Sequence, residues 1–200
     1  DNIKTVTTPV GYYDASVDAS VDPQNVKKQF VGDFDGNGKT VTLSINQTAK
    51  KSCGLFGAIA EGANIHDVTV EGTVNSTFDD AAGVCGLVNA AAGAKITNCV
   101  NKANVKSTGN YIGGIAGFSD AGDISTLVFD NCVNEGSIAG KTMVGGVCGI
   151  LRNGTVINSK NSGNVIGDCS TGGIVGYGYG GKNGKTIKQC SNSGNITATE

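Results

Sequence analysis

The sequence predicts an all-β protein folded as a parallel β-helix, in which about five coils of roughly thirty residues stack along one axis. Three observations lead to this prediction. A short aliphatic motif closed by glycine occurs five times at nearly equal spacing. A second motif follows each copy of the first. The apolar segments are short, rich in Val and Ile, and lack the 3.6-residue period of a helix.

The first motif, which we call the clasp, holds an aliphatic residue and one further residue between glycines. Its last glycines are spaced 29, 31, 32 and 27 residues apart, at Gly57, Gly86, Gly117, Gly149 and Gly176. The second motif has apolar ends and turn-forming Asn, Ser and Gly in between, in copies that span residues 65–74, 96–105, 129–138, 156–165 and 187–196. Three short strands and their turns fit one coil of this length, whereas a propeller blade needs four strands in about forty residues.

Stacked coils place equivalent residues in ladders, with about 4.8 Å between steps. We predict three apolar ladders, which are Leu55, Val84, Ile115, Val147 and Ile174; Val68, Cys99, Cys132, Ser159 and Cys190; and Val74, Val105, Ile138, Val165 and Ile196. We also predict an amide ladder of Asn101, Asn134, Asn161 and Asn192, with Val70 in the first coil. We call the first of the apolar ladders, from Leu55 to Ile174, the clasp ladder. On a strand, the residue after each of its members points to the opposite face. Either the clasp strand is buried on both faces, or one face is exposed.

Charge and composition exclude some classes of partner. The net charge is −2 and the isoelectric point is near 5.4, which argues against nucleic acid as a partner. No apolar run approaches the ~18 residues of a membrane helix, so membrane insertion is not expected. Residues 1–29 have no counterpart in the repeats and are expected to form an N-terminal cap. Residues 30–200 are expected to form one continuous repeat domain within a longer chain that carries further domains.

The sequence CGLFG at residues 53–57, followed by I-x-D-V-T-V-E-G-x-V and preceded by FVGDFDGNGKTVTLSI at 30–45, resembles the GLUG-motif repeat family. The resemblance covers about residues 30–196. Proteins of that family are large, secreted, mostly bacterial surface proteins, and the motif also occurs beside IgA-cleaving peptidase domains. The resemblance implies a right-handed, single-stranded parallel β-helix that is secreted or lies at the cell surface and serves as a stalk or adhesin-like module. It implies no catalytic residues.

One segment resembles the start of a calcium-binding loop. DFDGNG at 33–38 supplies Asp33, Asp35 and Asn37 at the spacing of the first ligands of an EF-hand loop. The twelfth position is Ser44 rather than Glu, so a glycine-rich turn between strands is the alternative interpretation. No other cofactor is expected. The single histidine, His66, is expected on the surface, since one imidazole lacks the partners of a zinc site or a Ser–His pair.

The clearest candidate ligand-binding residues are tyrosines. Tyr177 and Tyr179 alternate with glycines at 176–181, which predicts a glycine-rich loop that presents flat rings to a sugar or a protein. Tyr111 is expected near the same rim. Tyr177 occupies the same repeat position as Phe118 and Ile150, so packing in the core is the alternative for this residue.

The seven cysteines are interpreted mainly as reduced, small apolar residues in the ladders. Disulfides between coils and metal binding are the alternatives. Cys53 and Cys169 lie outside the predicted ladders and are expected to be the more exposed thiols.

Two functions remain open. The first is a non-catalytic extracellular module, a rigid scaffold that binds a host or cell-wall glycan or protein. The second is a carbohydrate-active β-helix enzyme, either a polysaccharide lyase or a hydrolase. Such an enzyme needs acidic residues together with Arg or Lys on one face. The chain has one arginine, Arg152, and no ladder of acids. Loops between coils are expected to hold four solvated acids, which are Asp79, Asp80, Asp120 and Asp123, and the last two are the candidates for catalysis. The first function, without catalysis, is therefore the prediction.

Overall fold

The fold was determined from a computed structural model, which describes residues 5–14, 27–49, 51–89, 93–121, 127–180 and 184–200. Every regular element among these residues is a β-strand, and all strand pairs are parallel except one short antiparallel ribbon. The strands form three long sheets that run along one axis, with 14, 4 and 5 strands. The chain therefore folds as a parallel β-helix of about five coils, as the repeats predict.

The 14-stranded sheet carries the second motif of each coil. It consists of β3 (Asp33–Gln47), β5 (Asn64–Ser76), β8 (Lys95–Thr97), β9 (Val100–Asn101), β10 (Asn104–Ser107), β13 (Val128–Asp130), β14 (Val133–Asn134), β15 (Ile138–Ala139), β18 (Gly154–Ile157), β19 (Lys160–Asn161), β20 (Val165–Gly167), β23 (Lys185–Lys188), β24 (Ser191–Asn192) and β25 (Ile196–Ala198).

Two smaller sheets flank the clasp turn of each coil. The strands before the turn are β6 (Ala81–Ala82), β11 (Ile112–Gly113), β16 (Thr142–Gly145) and β21 (Cys169–Gly172). The strands after it are β4 (Phe56–Ile59), β7 (Cys85–Val88), β12 (Ala116–Asp120), β17 (Cys148–Arg152) and β22 (Val175–Tyr179). A separate antiparallel ribbon pairs β1 (Tyr12–Tyr13) with β2 (Lys27–Lys28).

The observed register confirms the predicted ladders. Val105 pairs with Val74 below and Ile138 above, and Ile138 pairs with Val165. Along the clasp ladder, the Ile115 amide donates to the Val147 carbonyl, and the Val147 amide donates to the Ile174 carbonyl. Residues about thirty apart therefore lie on adjacent rungs.

The asparagine ladder is a buried chain of hydrogen bonds. The Nδ2 of Asn101 donates to Oδ1 of Asn134 at 2.7 Å, and Asn134 in turn donates to Asn161 at 2.6 Å. Each Nδ2 also donates to the carbonyl oxygen two residues on, which for Asn134 is Gly136 at 2.9 Å. Stacking thus satisfies amides that would be costly to bury alone.

Close packing around the clasp turn explains the glycines at its two ends. A Cβ atom at Gly114 would overlap the side chain of Asn134 and the carbonyl oxygen of Gly146. A Cβ atom at Gly117 would overlap the backbone of the strand before the turn, near Tyr111. The interior beside the turn therefore has no room for a side chain at either end of the clasp.

The clasp strands of the first four coils are buried on both faces, which answers the question that the sequence left open. Phe56, Cys85, Ala116 and Cys148 are all buried, together with the ladder residues that precede them. Phe56 packs against Phe30 and Phe34, with ring centroids 5.0 and 5.2 Å apart. In the last coil the same strand is partly exposed, since no described residue packs on that end.

Two bends in each coil use left-handed backbone. One column of positive φ comprises Asp67, Asn98, Asn131, Asn158 and Gln189, in which Asn tolerates the conformation. The other comprises Asp80, Tyr111, Met143 and Ser170, just before the clasp turn. The second column mixes residue types, so the sequence does not reveal it.

Three expectations need correction. Cys53 is buried, not exposed, because it forms a β-bridge with Ala81 and so lies on a rung of the helix; Cys169 is exposed as expected. The short apolar segments predict short strands, but β3 and β5 have 15 and 13 residues. β3 also adds a rung below the first predicted coil, with Ile45 opposite Val74.

The described part of the N-terminal segment lies against the first rungs. Val6 forms a parallel bridge with Leu43, and Val10 forms one with Phe56. The Val10 amide also donates to the Leu55 carbonyl at 2.9 Å. These contacts cover the first coils, while the boundary of the cap at residue 29 stays a prediction.

Candidate functional site

A groove lined by aromatic and polar side chains lies on the outer side of the clasp strands. Its volume is about 240 Å³. It is lined by two tyrosines, a phenylalanine, a leucine, an asparagine and an aspartate, which are Tyr13, Tyr111, Phe118, Leu87, Asn89 and Asp80. We call it the aromatic groove.

The stacking of the coils places both walls of the groove. Asp80 and Tyr111 precede the paired residues Ala81 and Ile112, so they lie on adjacent rungs at the left-handed bend. Leu87 pairs with Phe118 on the strand after the clasp turn. The groove is thus framed by backbone that hydrogen bonds hold in place on both sides.

The aromatic wall is fixed by ring packing. The rings of Tyr111 and Phe118 are 5.5 Å apart, edge to face. Burial raises the pKa of Tyr111, and the nearby Asp79, Asp80 and Tyr179 raise it further. The phenol is therefore neutral at physiological pH and can both donate and accept a hydrogen bond.

Asp80 is a buried acid in the wall of the groove. Its exposed fraction is 9%, and burial, followed by the charge of Asp79, raises its pKa to about 8. Among the described residues, none donates a hydrogen bond to its carboxyl group. The adjacent Asp79 differs, because its Oδ1 accepts from the amide of Asn110 at 2.6 Å and from its Nδ2 at 3.1 Å.

Tyr177 and Tyr179 lie further along the axis than the groove. One column of the clasp strands pairs Phe118, Ile150 and Tyr177 in register. The neighbouring column pairs Asp120, Arg152 and Tyr179 in the same way. Ile150 is only 3% exposed, and neither tyrosine is part of the groove lining.

Tyr177 and Tyr179 lie on strand β22, which corrects the prediction of a glycine-rich loop. Their exposed fractions are 44% and 37%, so Tyr177 is not a core residue in the last coil. Their rings lie 5.8 Å apart. The Arg152 guanidinium lies 5.6 Å from the centre of the Tyr179 ring and also binds Asp120 at 2.8 Å. The strand fixes both tyrosines in a way that a loop would not.

The residues of the predicted calcium loop lie elsewhere, beside His66. His66 Nε2 is 3.6 Å from Asp33, and its Nδ1 is 3.7 Å from Asp35 and 2.7 Å from Asp67. The hydrogen bond to Asp67, followed by the charges of Asp35 and Asp33, raises the pKa of His66. His66 is thus a surface residue, as expected, but it is part of a cluster of charged groups.

This cluster differs from the predicted calcium loop. The ligand atoms of Asp35, His66 and Asp67 lie within 4.8 Å of one another, which is within reach of one metal ion. Asn37 is at a bulge of β3, and its backbone amide donates to Asp35 at 2.7 Å. Calcium binding by Asp33, Asp35 and Asn37 stays a prediction.

The sequence singles out Tyr111, Tyr177 and Tyr179, of which Tyr111 lines the aromatic groove, but it does not indicate the other groove residues. Asp80 was seen only as a loop acid, although its position one rung below Tyr111 was a usable signal. Tyr13 lies in the N-terminal segment, which has no repeat to align with. Asp120 is paired with Arg152, and Asp123 lies outside the described residues.

Comparison of the chain with protein-family models, curated proteins and solved structures finds no match. In the described part of the chain, no helix has the length and apolar character needed to cross a bilayer.

Proposed function

We propose that the chain is a non-catalytic, extracellular surface module of the GLUG-motif type, a rigid β-helix that binds a glycan or a protein through the aromatic groove. The observation that carries this proposal is the groove itself, in which Tyr111 and Phe118 form a fixed aromatic wall beside Asp80. Such sites combine apolar surface with a few polar groups that orient the ligand.

The paired strands hold the groove residues in place before any ligand binds. Most groove residues lie on, or next to, strands that are paired on both sides, and Tyr13 lies on the β1–β2 ribbon. A site of this kind is formed before the ligand arrives, so binding does not have to offset the cost of ordering a loop.

A glycan is the better ligand of the two. Sugars present apolar C–H faces that lie on aromatic rings, and hydroxyl groups that bind carboxyl and amide side chains. The groove offers both, with Tyr13, Tyr111 and Phe118 next to Asp80 and Asn89. Tyr177 and Tyr179, on the strand two rungs beyond Phe118, offer a second exposed aromatic surface for a longer chain of sugars.

The test is a panel of bacterial and host polysaccharides, assayed for both retention and cleavage. Saturable binding without products is expected, with a loss of at least tenfold in affinity in Tyr111→Ala. Lys188→Ala, on a different sheet, is the matched control and is expected to bind normally. A panel without any binding, or a Tyr111→Ala variant that binds normally, would contradict the proposal.

A second candidate is a carbohydrate-active enzyme, which one observation favours. Asp79 and Asp80 are adjacent acids in different environments, and Asp80 holds its proton at neutral pH as a general acid would. Cleavage products that disappear in Asp80→Asn would establish this alternative. Retention without products would exclude it for the polysaccharides tested.

A further inference from the structure

The aromatic groove contains a buried acid whose hydrogen-bonding capacity is not used by the described residues. Asp80 is nine-tenths buried, it lines the groove, and none of those residues donates a hydrogen bond to its carboxyl group. Its carboxyl oxygens are open to the groove, so a ligand bound there can supply hydrogen-bond partners that the described residues do not.

The surroundings of Asp80 favour its neutral form. The carboxylate of Asp79 adjoins it along the chain, and the thiols of Cys53 and Cys85 lie near it in the interior. The Tyr111 phenol faces it from the next rung. No Lys, Arg or His is among the described residues that line the groove. Both burial and the negative charge of Asp79 therefore raise the pKa of Asp80, to about 8.

The ligand can be inferred from the lining of the groove, which places aromatic rings beside an amide and a carboxyl group and, among the described residues, contains no Lys, Arg or His. We infer that the groove binds an uncharged sugar unit, and that Asp80 anchors it as a neutral carboxylic acid that donates one hydrogen bond to a sugar oxygen and accepts another from a sugar hydroxyl. This inference rests on the proposed function and specifies its ligand. A hydroxyl group matches a carboxylic acid because each donates and accepts.

Charged sugars fit the groove less well. A uronic acid or a sulfated sugar would place a second negative charge beside Asp79, at a site without a cation in its lining. An amino sugar carries its positive charge at pH 6, where it would favour the ionised form of Asp80, and loses that charge by pH 9. Comparison of the three classes at pH 6 therefore distinguishes them, and the pH dependence of the neutral fragments tests Asp80.

The experiment measures affinity at two pH values. Neutral oligosaccharide fragments of glucan, mannan and galactan are compared with uronic-acid, sulfated and glucosamine oligomers by calorimetric titration at pH 6 and pH 9. If only the protonated groove binds, a pKa of about 8 leaves about a tenth of the sites competent at pH 9, so affinity for a neutral fragment falls about tenfold.

Variants of Asp80 distinguish the effect of its proton from the effect of its side-chain packing. Asp80→Asn keeps the shape and the neutral state, so we expect binding within a few-fold of wild type at pH 6 and no loss at pH 9. Asp80→Ala is expected to bind at least tenfold more weakly. Asp168→Asn, on a different rung and outside the groove lining, should keep the wild-type pH dependence. Circular dichroism at both pH values verifies that each variant is folded.

The outcomes are distinguishable. Neutral fragments that bind equally at pH 6 and pH 9, or an Asp80→Asn variant that still loses affinity at pH 9, would overturn the role of Asp80 but leave glycan binding intact. Preference for charged sugars would overturn the inferred ligand class alone. An absence of binding across the panel would remove both this inference and the proposed function.

Discussion

The asparagine ladder is the interior feature whose removal should be most costly, and Asn134 is its central residue. We expect Asn134→Ala to lower the free energy of unfolding by about 3–5 kcal/mol. The substitution removes three hydrogen bonds, which join Asn134 to Asn101 at 2.7 Å, to Asn161 at 2.6 Å and to the Gly136 carbonyl at 2.9 Å. Their partners remain buried, because Asn101 and Asn161 are no more than 1% exposed.

The magnitude follows from the groups left behind. Each buried donor or acceptor that loses its partner costs about 1–3 kcal/mol. Three such groups are affected, although each of the two neighbouring asparagines keeps the bond from its own Nδ2 to a backbone carbonyl. The estimate therefore lies toward the lower end of the sum. The missing side chain adds a small cavity.

The assay is urea unfolding followed by far-ultraviolet circular dichroism and tyrosine fluorescence, whose agreement tests for a two-state transition. Asn104→Ala is the control, since Asn104 is exposed and its side chain accepts only from Ser137, at 3.2 and 2.7 Å. The control should lose less than about 1 kcal/mol. If Asn134→Ala costs no more than the control, the ladder does not stabilise the stack and the reasoning is wrong.

Three further predictions concern the clasp, the groove and the thiols. Gly114→Ala should cost several kcal/mol in the same assay, because its Cβ would overlap backbone, whereas Gly62→Ala should cost only about 1–2 kcal/mol for its left-handed backbone. The wild-type free energy of unfolding should fall as the pH rises from about 4 to about 8, by at most about 1.4 kcal/mol per unit, because folded Asp80 keeps a proton that the unfolded chain releases. Asp80→Asn should remove this dependence, and an unchanged slope would contradict the assigned burial. Iodoacetamide followed by mass spectrometry should label Cys169 first in the native protein, while Cys53, with its pKa raised to about 12 by burial, should react only after unfolding. Early labelling of Cys53 would refute its place on a rung.

Much of the fold could be predicted because stacking requires similar residues at equivalent positions. The apolar ladder through Val105 and Ile138, and the amide ladder through Asn134, were found from spacing alone. The extra rung formed by β3 was missed, because the bulge near Asn37 interrupts its match to the later repeats.

The groove was harder to predict for a physical reason. Its residues occupy equivalent positions but differ in type, as Asp80 and Tyr111 do on adjacent rungs. Repetition reveals what the coils share, whereas a binding site depends on where they differ. The exposure of Tyr177 also required the structure, because the same position is buried at Ile150 one rung earlier.

The most direct test of the stacked rungs is a set of nuclear Overhauser effects from the methyl groups of Ile138 in the labelled protein. The account predicts strong cross-peaks to both Val105 and Val165, which flank it in register, and none between those two valines, since they are two steps apart. If the cross-peak to either valine is missing, or if the two valines show a cross-peak to each other, the parallel arrangement on which the groove depends is contradicted.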